Sequence, residues 1–341
     1  MTLEELDREL AEKNLIGFWS GNIVGFEENI EPKSAVLPYL WKWSDIYDGL
    51  MKAREVVSLE MSERRTVRLA NPGLPETGFA TPTIHMSVQL VRPGEVARAH
   101  RHTITAIRFV VKGNGAFTTV EGERFVMSPG DLILTPNWTW HDHYNGSDED
   151  IVWLDGHDGP LVRALEVIAV EMFPQKQQPV ETIPDFSLYK YGMARPYEER
   201  PAKFLDPPCK YPWEQTYRCL KSLATTEGDP YNGVLLRYVN PRTGGPTLRT
   251  IGCEIQMLRP KEKTGNHRHT SSTIYHAFRG GGCTIVGEKT LDWGEGDCFS
   301  VPSWQWHRHE NRFSEEAILF SITDRPLKEA LGFYREEDRP D

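Results

Sequence analysis

From about residue 80 the chain is built of short apolar or alternating runs broken by Gly, Pro and Asp, at 87–91, 106–111, 116–120, 132–135 and 151–154. Runs of this length at this spacing predict antiparallel strands of a sandwich or barrel. A stretch rich in Pro and Gln follows, with Pro174-Gln175-Lys176-Gln177-Gln178-Pro179 and later Pro207-Pro208. It reads as a linker, after which strand-like runs resume near 234 and continue to about 323. Ahead of the strands, residues 2–13 predict an amphipathic helix: Thr2 and Glu5 fit a capping box, and Leu3, Leu6 and Leu10 share a face. The aromatic cluster Pro38-Tyr39-Leu40-Trp41-Lys42-Trp43 reads as a segment packed onto a neighbouring domain or subunit. A last helix is predicted at 326–334. The organisation expected is mainly β: a helical and aromatic arm (1–60), a first β-barrel (61–173), a linker (174–225), a second β-barrel (226–324) and a C-terminal helix and tail (325–341).

The histidines expose a repeat. His100-Arg101-His102 recurs as His267-Arg268-His269, and His141-Asp142-His143 as His307-Arg308-His309. Gly130, Pro136 and Asn145 are echoed by Gly296, Pro302 and Asn311, and Trp138-Thr139-Trp140 by Trp304-Gln305-Trp306. Eight of the eleven histidines occupy matched positions, so one β-domain has been duplicated.

Strand geometry turns the repeat into a metal-site expectation. Residues i and i+2 of a strand point to the same face, which puts His100 and His102 side by side. His141, several strands later, could close a barrel back onto that face. Three neutral imidazoles leave about three open positions on a metal, which suits Fe(II) chemistry with a chelating substrate and O2, although zinc or manganese could occupy the same ligands. His267, His269 and His307 form the candidate second metal site. If alternation continues from His102, Arg108 also faces inward, and a buried guanidinium needs an anion.

Composition narrows the function classes. A net charge of −10 argues against nucleic acid or an anionic membrane as partner. No apolar run reaches the length of a membrane span, and the acidic start Met1-Thr2-Leu3-Glu4-Glu5-Leu6 is unlike a signal peptide. Five cysteines without Cys-x-x-Cys spacing read as reduced thiols, and the expected location is the cytoplasm.

The stretch from Gly94 to His102 with Gly113 resembles the first cupin motif, and Gly130-Asp131-Leu132-Ile133-Leu134-Thr135-Pro136 with His141 and Asn145 resembles the second. Many cupins carry a glutamate ligand about four residues after His-x-His; here Ala106 and Ile107 stand there, so a three-histidine site is expected. Residues 99–113 and Trp138-Thr139-Trp140-His141-Asp142-His143 resemble the gentisate 1,2-dioxygenase family. That family includes the salicylate and 1-hydroxy-2-naphthoate enzymes, and the likeness extends over most of the chain.

The resemblance implies a bicupin fold, Fe(II) in the first cupin and a homotetramer. It implies extradiol-type cleavage by O2 of gentisate or a 5-substituted salicylate, between the carboxyl-bearing and hydroxyl-bearing carbons, in aromatic compound degradation. Arg64 and Arg108 would bind the carboxylate, with Arg65 and Arg68 as nearby competitors of Arg64. His143 would act as acid/base or hydrogen-bonding partner at the phenolic oxygen, oriented by Asp155; Gln89 and His85 would line the pocket. His85 and His157 depart from the family's usual residues, and a polar histidine could bond an electron-withdrawing 5-substituent such as a nitro group. Two other readings keep the cupin but change the function: another metal-dependent cupin oxygenase or isomerase, and a non-enzymatic small-molecule-binding bicupin.

Overall fold

The computed structural model describes residues 1–20, 30–58, 61–62, 64–192, 194 and 206–339. The chain divides into two compact units, Met1–Lys33 and Ser34–Asp341. In the first, helix Leu3–Glu12 starts at the expected capping box: the Glu5 amide donates to Thr2 Oγ1 (3.2 Å), and the Thr2 amide donates to Glu5 Oε2 (2.7 Å).

The second unit holds two barrels, each made of a six-stranded and a five-stranded antiparallel sheet. In the first barrel the six-stranded sheet runs Lys210–Tyr211, Leu132–Thr135, Ala106–Lys112, Ile151–His157, His85–Val91 and Arg65–Arg68. Opposite it lie Val170–Met172, Val96–His102, His141–Tyr144, Phe117–Val120 and Glu123–Val126. The second barrel repeats this order with Tyr39–Trp41, Cys298–Val301, Thr273–Arg279, Ala317–Thr323, Gly252–Leu258 and Val234–Arg237. Its smaller sheet contains Lys289–Trp293, Gly282–Val286, His307–Glu310, Asn266–His269 and Glu336–Arg339.

The edge strands are exchanged between the barrels. Tyr39–Trp41, which precedes the first barrel in sequence, pairs with Cys298–Val301 of the second. Lys210–Tyr211, which precedes the second, pairs with Leu132–Thr135 of the first. The aromatic cluster at 38–43 therefore packs on a neighbouring barrel, as its composition suggests. A helix follows each edge strand, Trp43–Val56 and Trp213–Leu223. Their first amides donate to matched aspartates, Trp43 to Asp297 (2.7 Å) and Trp213 to Asp131 (2.9 Å). Gly296 and Gly130 sit beside those tryptophans at φ 90° and 87°, where a Cβ would fall 2.4 and 2.6 Å from the indole. Only glycine satisfies both the left-handed backbone and the close approach.

The two six-stranded sheets share one core. Strand Ala106–Lys112 sends Ile107 and Phe109 into it, and Ile318, Phe320 and Ile322 come from the opposite barrel. Phe109 and Phe320 stack with ring centroids 4.0 Å apart.

Several expectations are corrected. The C-terminal helix spans only Arg325–Ala330; Gly332 at φ 73° turns the chain, and Glu336–Arg339 continues as a strand on Asn266–His269. The segment expected as a linker contributes helix Phe186–Lys190, an edge strand and helix Trp213–Leu223, while residues 195–205 lie outside the described residues. Alternation from His102 to Arg108 is interrupted, because residues 103–105 turn the chain between two strands. Among the described residues, no helix is long and apolar enough to cross a membrane.

The shared core predicts that Phe320→Ala, which empties a fully buried ring, costs about 3–5 kcal/mol in denaturant unfolding. Phe333→Ala, at a 64% exposed ring, should stay within about 0.5 kcal/mol. Equal small effects would show that the barrels are not held by this core.

Candidate metal centre and active site

His100 and His102 leave strand Val96–His102 two residues apart, and His141 stands directly opposite His100 on the neighbouring strand. The ladder slips by one residue between Ala97 and His100, a bulge that re-aims the pair inward. Backbone carbonyls fix all three rings. Nδ1 of His100, His102 and His141 lies 2.7, 2.8 and 2.9 Å from the carbonyl oxygens of Arg98, Ile104 and Thr139. A carbonyl can only accept, so each Nδ1 carries the proton and each Nε2 presents a lone pair to the common centre. One ligand nitrogen from each residue lies within 4.8 Å of the others. The His141 Nε2 is buried without a partner. Buried nitrogens are rarely left so, and three converging imidazole donors suit a divalent transition metal.

The wall beside the triad is polar and incompletely satisfied. Arg108, 1% exposed, projects from strand Ala106–Lys112 opposite to the core-facing Ile107 and Phe109. Its Nη1 donates to Thr135 Oγ1, and its Nε has no partner. Burial lowers the guanidinium to about 10, with Asp155 opposing, so it stays charged at neutral pH. Burial also resists ionisation of Asp155, but Arg108, His157 and Arg64 outweigh it and hold its carboxyl below the ordinary value. Gln89 is buried with both amide atoms unpartnered. Arg64 places Nη2 2.9 Å from His100 Nε2. Of its sequence neighbours, Arg65 is turned away in an ion pair with Glu95 (2.7 Å), whereas Arg68 lines the same cavity.

The aspartate expected to orient His143 does not do so. His143 Nδ1 is 2.7 Å from Thr118 Oγ1, and Nε2 has no partner. Thr118 Oγ1 also lies 3.6 Å from Met127 Sδ, so the hydroxyl can donate there while accepting the Nδ1 proton, and in that tautomer Nε2 is a proton acceptor. Asp155 stands instead opposite Arg108 in the ladder, as its counter-charge. Thr118 and Thr135 escaped sequence reasoning because a threonine in a strand reads simply as a β-former; the echo Thr118/Thr284 at the repeat offset was the available signal.

His85 and His157 face each other across neighbouring strands and stack at 4.2 Å, with Phe79 edge-on to His85. Burial pushes His85 down to about 4 and His157 down to about 3, so both are neutral at pH 7. His157 Nδ1 accepts the Gly159 amide (3.0 Å), which places its proton on Nε2. These residues, Gln89, the two arginines, Asp155, His100 and His102 line one cavity of about 570 Å3, large enough for a monocyclic aromatic acid.

Comparisons with known proteins agree with this geometry. The cupin domain family matches residues 87–157 and 254–323. The chain is 41% identical to 5-aminosalicylate 1,2-dioxygenase of Comamonas sp, over 98% of this chain and 90% of that protein. It is 38% identical to 1-hydroxy-2-naphthoate 1,2-dioxygenase of Nocardioides sp. (98% and 88%). Salicylate 1,2-dioxygenase of Pseudoaminobacter salicylatoxidans, solved as gentisate adducts, superposes with a TM-score of 0.91 at 33% identity (99% and 94%). The chain belongs to the gentisate and salicylate 1,2-dioxygenase family. It is a bicupin oxidoreductase of the ring-cleaving 1,2-dioxygenase class, with a histidine triad in each cupin able to hold a metal ion.

Neutral burial of the stacked pair makes the dioxygenase acid-sensitive. Below the ordinary histidine value near 6.5 the unfolded chain takes up protons that the folded His85 and His157 refuse. Stability present above that pH is therefore lost as pH falls towards 4, by at most ~1.4 kcal/mol per pH unit for each histidine. Thermal unfolding of metal-free protein at pH 7 and pH 5 should show a smaller acid loss in His85→Gln than in the parent. An equal loss would mean that His85 titrates normally in the fold.

Proposed function

We propose that the first cupin holds Fe(II) on His100, His102 and His141 and opens the ring of gentisate or a salicylate with a polar 5-substituent. The bond cleaved joins the carboxyl-bearing and hydroxyl-bearing carbons. One O2 is consumed, both atoms enter an oxo-dienedioate, and no external reductant is required. The observation that carries this reading is a set of buried polar atoms without partners: Arg108 Nε, both amide atoms of Gln89 and Asp155 Oδ1, whose residues line the cavity with His100 and His102, and His143 Nε2, whose ring centroid is 6.0 Å from that of His141. Each leaves desolvated hydrogen-bonding capacity that an anionic, hydroxylated ligand would satisfy.

When bound, ferrous iron supplies the electronic coupling between an electron-rich ring and O2 that closed-shell side chains lack. The protein's residues do the rest. Were His100 to hold the ion through Nε2, that atom would no longer accept from Arg64, and the Arg64 guanidinium would be available with Arg108 to bind a carboxylate. Asp155 keeps Arg108 charged when the cavity is dry. In the tautomer whose Nδ1 proton is held by Thr118, His143 Nε2 takes the phenolic proton and can return it to the product. The neutral His85–His157 pair sets the polarity at the ring's periphery: the His157 Nε2–H is a donor for a nitro, hydroxyl or other accepting group. Support for a 5-substituted ring comes from that pair and from the 5-aminosalicylate relative. The chain is expected to act as a cytoplasmic homotetramer, with the small aromatic acid and O2 as its partners.

The test is oxygen uptake with ultraviolet absorbance after anaerobic Fe(II) loading, with gentisate, salicylate, 5-aminosalicylate, 5-nitrosalicylate and 1-hydroxy-2-naphthoate in parallel. Stoichiometric O2 consumption with a new conjugated absorbance is expected, 5-substituted rings being turned over faster than salicylate; silence on all five would overturn the reaction. In the same assay Arg108→Ala should keep its iron and lose about 30- to 1,000-fold in turnover, corresponding to a carboxylate–guanidinium pair worth ~2–4 kcal/mol. A loss below threefold would make Arg108 structural. A His85→Ala variant with unchanged preference among 5-substituted salicylates would remove the specificity role of the pair.

A further inference from the structure

The sheet that carries Arg108 sets a second arginine in the same transverse row. Arg108 is registered against Asp155, Asp155 against Ser87, and Ser87 against Arg68. Directly opposed residues of an antiparallel sheet share a face, and all four line the cavity beside the first triad. On strand Arg65–Arg68 the alternation sends Thr66 and Arg68 to that cavity, while Val67 packs against the core. Arg108 is buried and Arg68 is exposed, so the row has one cation at its floor and one at its mouth. Three strand spacings put their backbones roughly 14 Å apart.

The duplicated barrel supplies an internal comparison. Its equivalent row is Tyr275, Ser321, Glu254 and Arg237. Arg237 stands where Arg68 does, and its Nε donates to Glu254 Oε1 at 3.0 Å. In the first barrel Ser87 takes the place of that glutamate and turns its hydroxyl to the Asp155 carbonyl (3.4 Å). Asp155 itself is the counter-charge of Arg108. Among the described residues Arg68 has no ion-pair partner, so the repeat has kept the arginine and removed the carboxylate that would neutralise it. Burial, and after it the charge of Arg68, holds His85 neutral against the pull of Asp155, which sets Arg68 at the His85–His157 end of the cavity. Two donors meet there, the Arg68 guanidinium and the His157 Nε2–H.

We propose that Arg68 selects salicylates whose 5-substituent is itself an anion, so that the preferred substrates are aromatic dianions with one carboxylate at Arg108 and the second charge at Arg68. The inference rests on the ring-cleaving reading above and sharpens its substrate class. A nitro or hydroxyl group can use the His157 N–H, but only an anion draws a charge-assisted bond from the guanidinium as well. A chain of net charge −10 repels a dianion at long range, which makes local cations at both ends of the cavity the more necessary.

The measurement compares 5-carboxysalicylate with 5-nitrosalicylate, whose 5-substituents are planar, similar in size and different in charge. The ratio of their kcat/KM values is taken on the Fe(II)-loaded full chain, in the parent, Arg68→Gln and Arg68→Lys. Arg68→Gln should lower the carboxy-to-nitro ratio about fivefold, the size of an exposed charge pair, and Arg68→Lys should hold it within about twofold. Raising the ionic strength should lower the ratio in the parent and leave it level in Arg68→Gln. Anaerobic calorimetric titration of the same proteins gives the corresponding ratio of Kd values without turnover. If the parent cleaves neither ring, the reaction reading fails while the binding ratio still tests Arg68. A ratio that Arg68→Gln leaves unchanged, or that salt does not move in the parent, or a parent that fails to bind 5-carboxysalicylate, would overturn the proposal.

Discussion

A guanidinium buried in the strand that also builds the inter-barrel core is the constraint around which this fold is arranged. Strand Ala106–Lys112 has no solvent-facing side over most of its length. Ile107 and Phe109 enter the core against Phe320, and Arg108 between them enters the site. Taking a cation out of water costs several kcal/mol unless an anion and hydrogen bonds compensate. Asp155 on the adjacent strand and Thr135 supply part of that compensation, and the Nε left unpartnered marks where the remainder has to come from. Because the neighbours of Arg108 are packed between two sheets, the charge is held in place by the core. The carboxylate anchor proposed at Arg108 is thus preorganised by the same contacts that join the barrels.

Duplication explains how such a site could be assembled and then allowed to diverge. Both barrels retain backbone devices that aim the triad: carbonyls at Nδ1, on all three rings of the first and on His269 and His307 of the second, a threonine behind the fourth histidine, and left-handed tryptophans at 138 and 304. The exchange of edge strands makes the two copies interdependent, with Gly130 and Gly296 shaped to receive the tryptophan that precedes the other barrel. Charge is what separates them. One copy buries arginines against an acidic protein of net charge −10, and the other collects carboxylates on its covering strand.

Much of this was readable before any coordinates, for physical reasons. Histidine doublets at i, i+2 repeated at a constant offset can only be strand faces, and the glycines and prolines between them mark strand ends, so the two triads emerged from spacing alone. Arg108 was placed inward on a false premise, unbroken alternation from His102. The chain turns at 103–105, and the residue faces the site because it is the even member of the next strand. The orienting partner of His143 was misassigned to Asp155, since a carboxylate announces itself in sequence and a threonine does not. Helices Trp43–Val56 and Trp213–Leu223 start at Lys42 and Pro212 with no side-chain cap, so neither carries the capping signal that announces Leu3–Glu12.

The central claim is that the unpartnered polar atoms beside the first triad form a receptor for the carboxylate and hydroxyl of an aromatic acid. A crystal structure of the Fe(II)-loaded protein with gentisate, grown and frozen without oxygen, tests it most directly. The account predicts the ligand's carboxylate against Arg108 and Arg64, its 2-position oxygen within hydrogen-bond reach of His143 Nε2, and its ring edge towards His85 and His157. Gentisate bound elsewhere, or bound with its carboxylate away from both arginines, would contradict it.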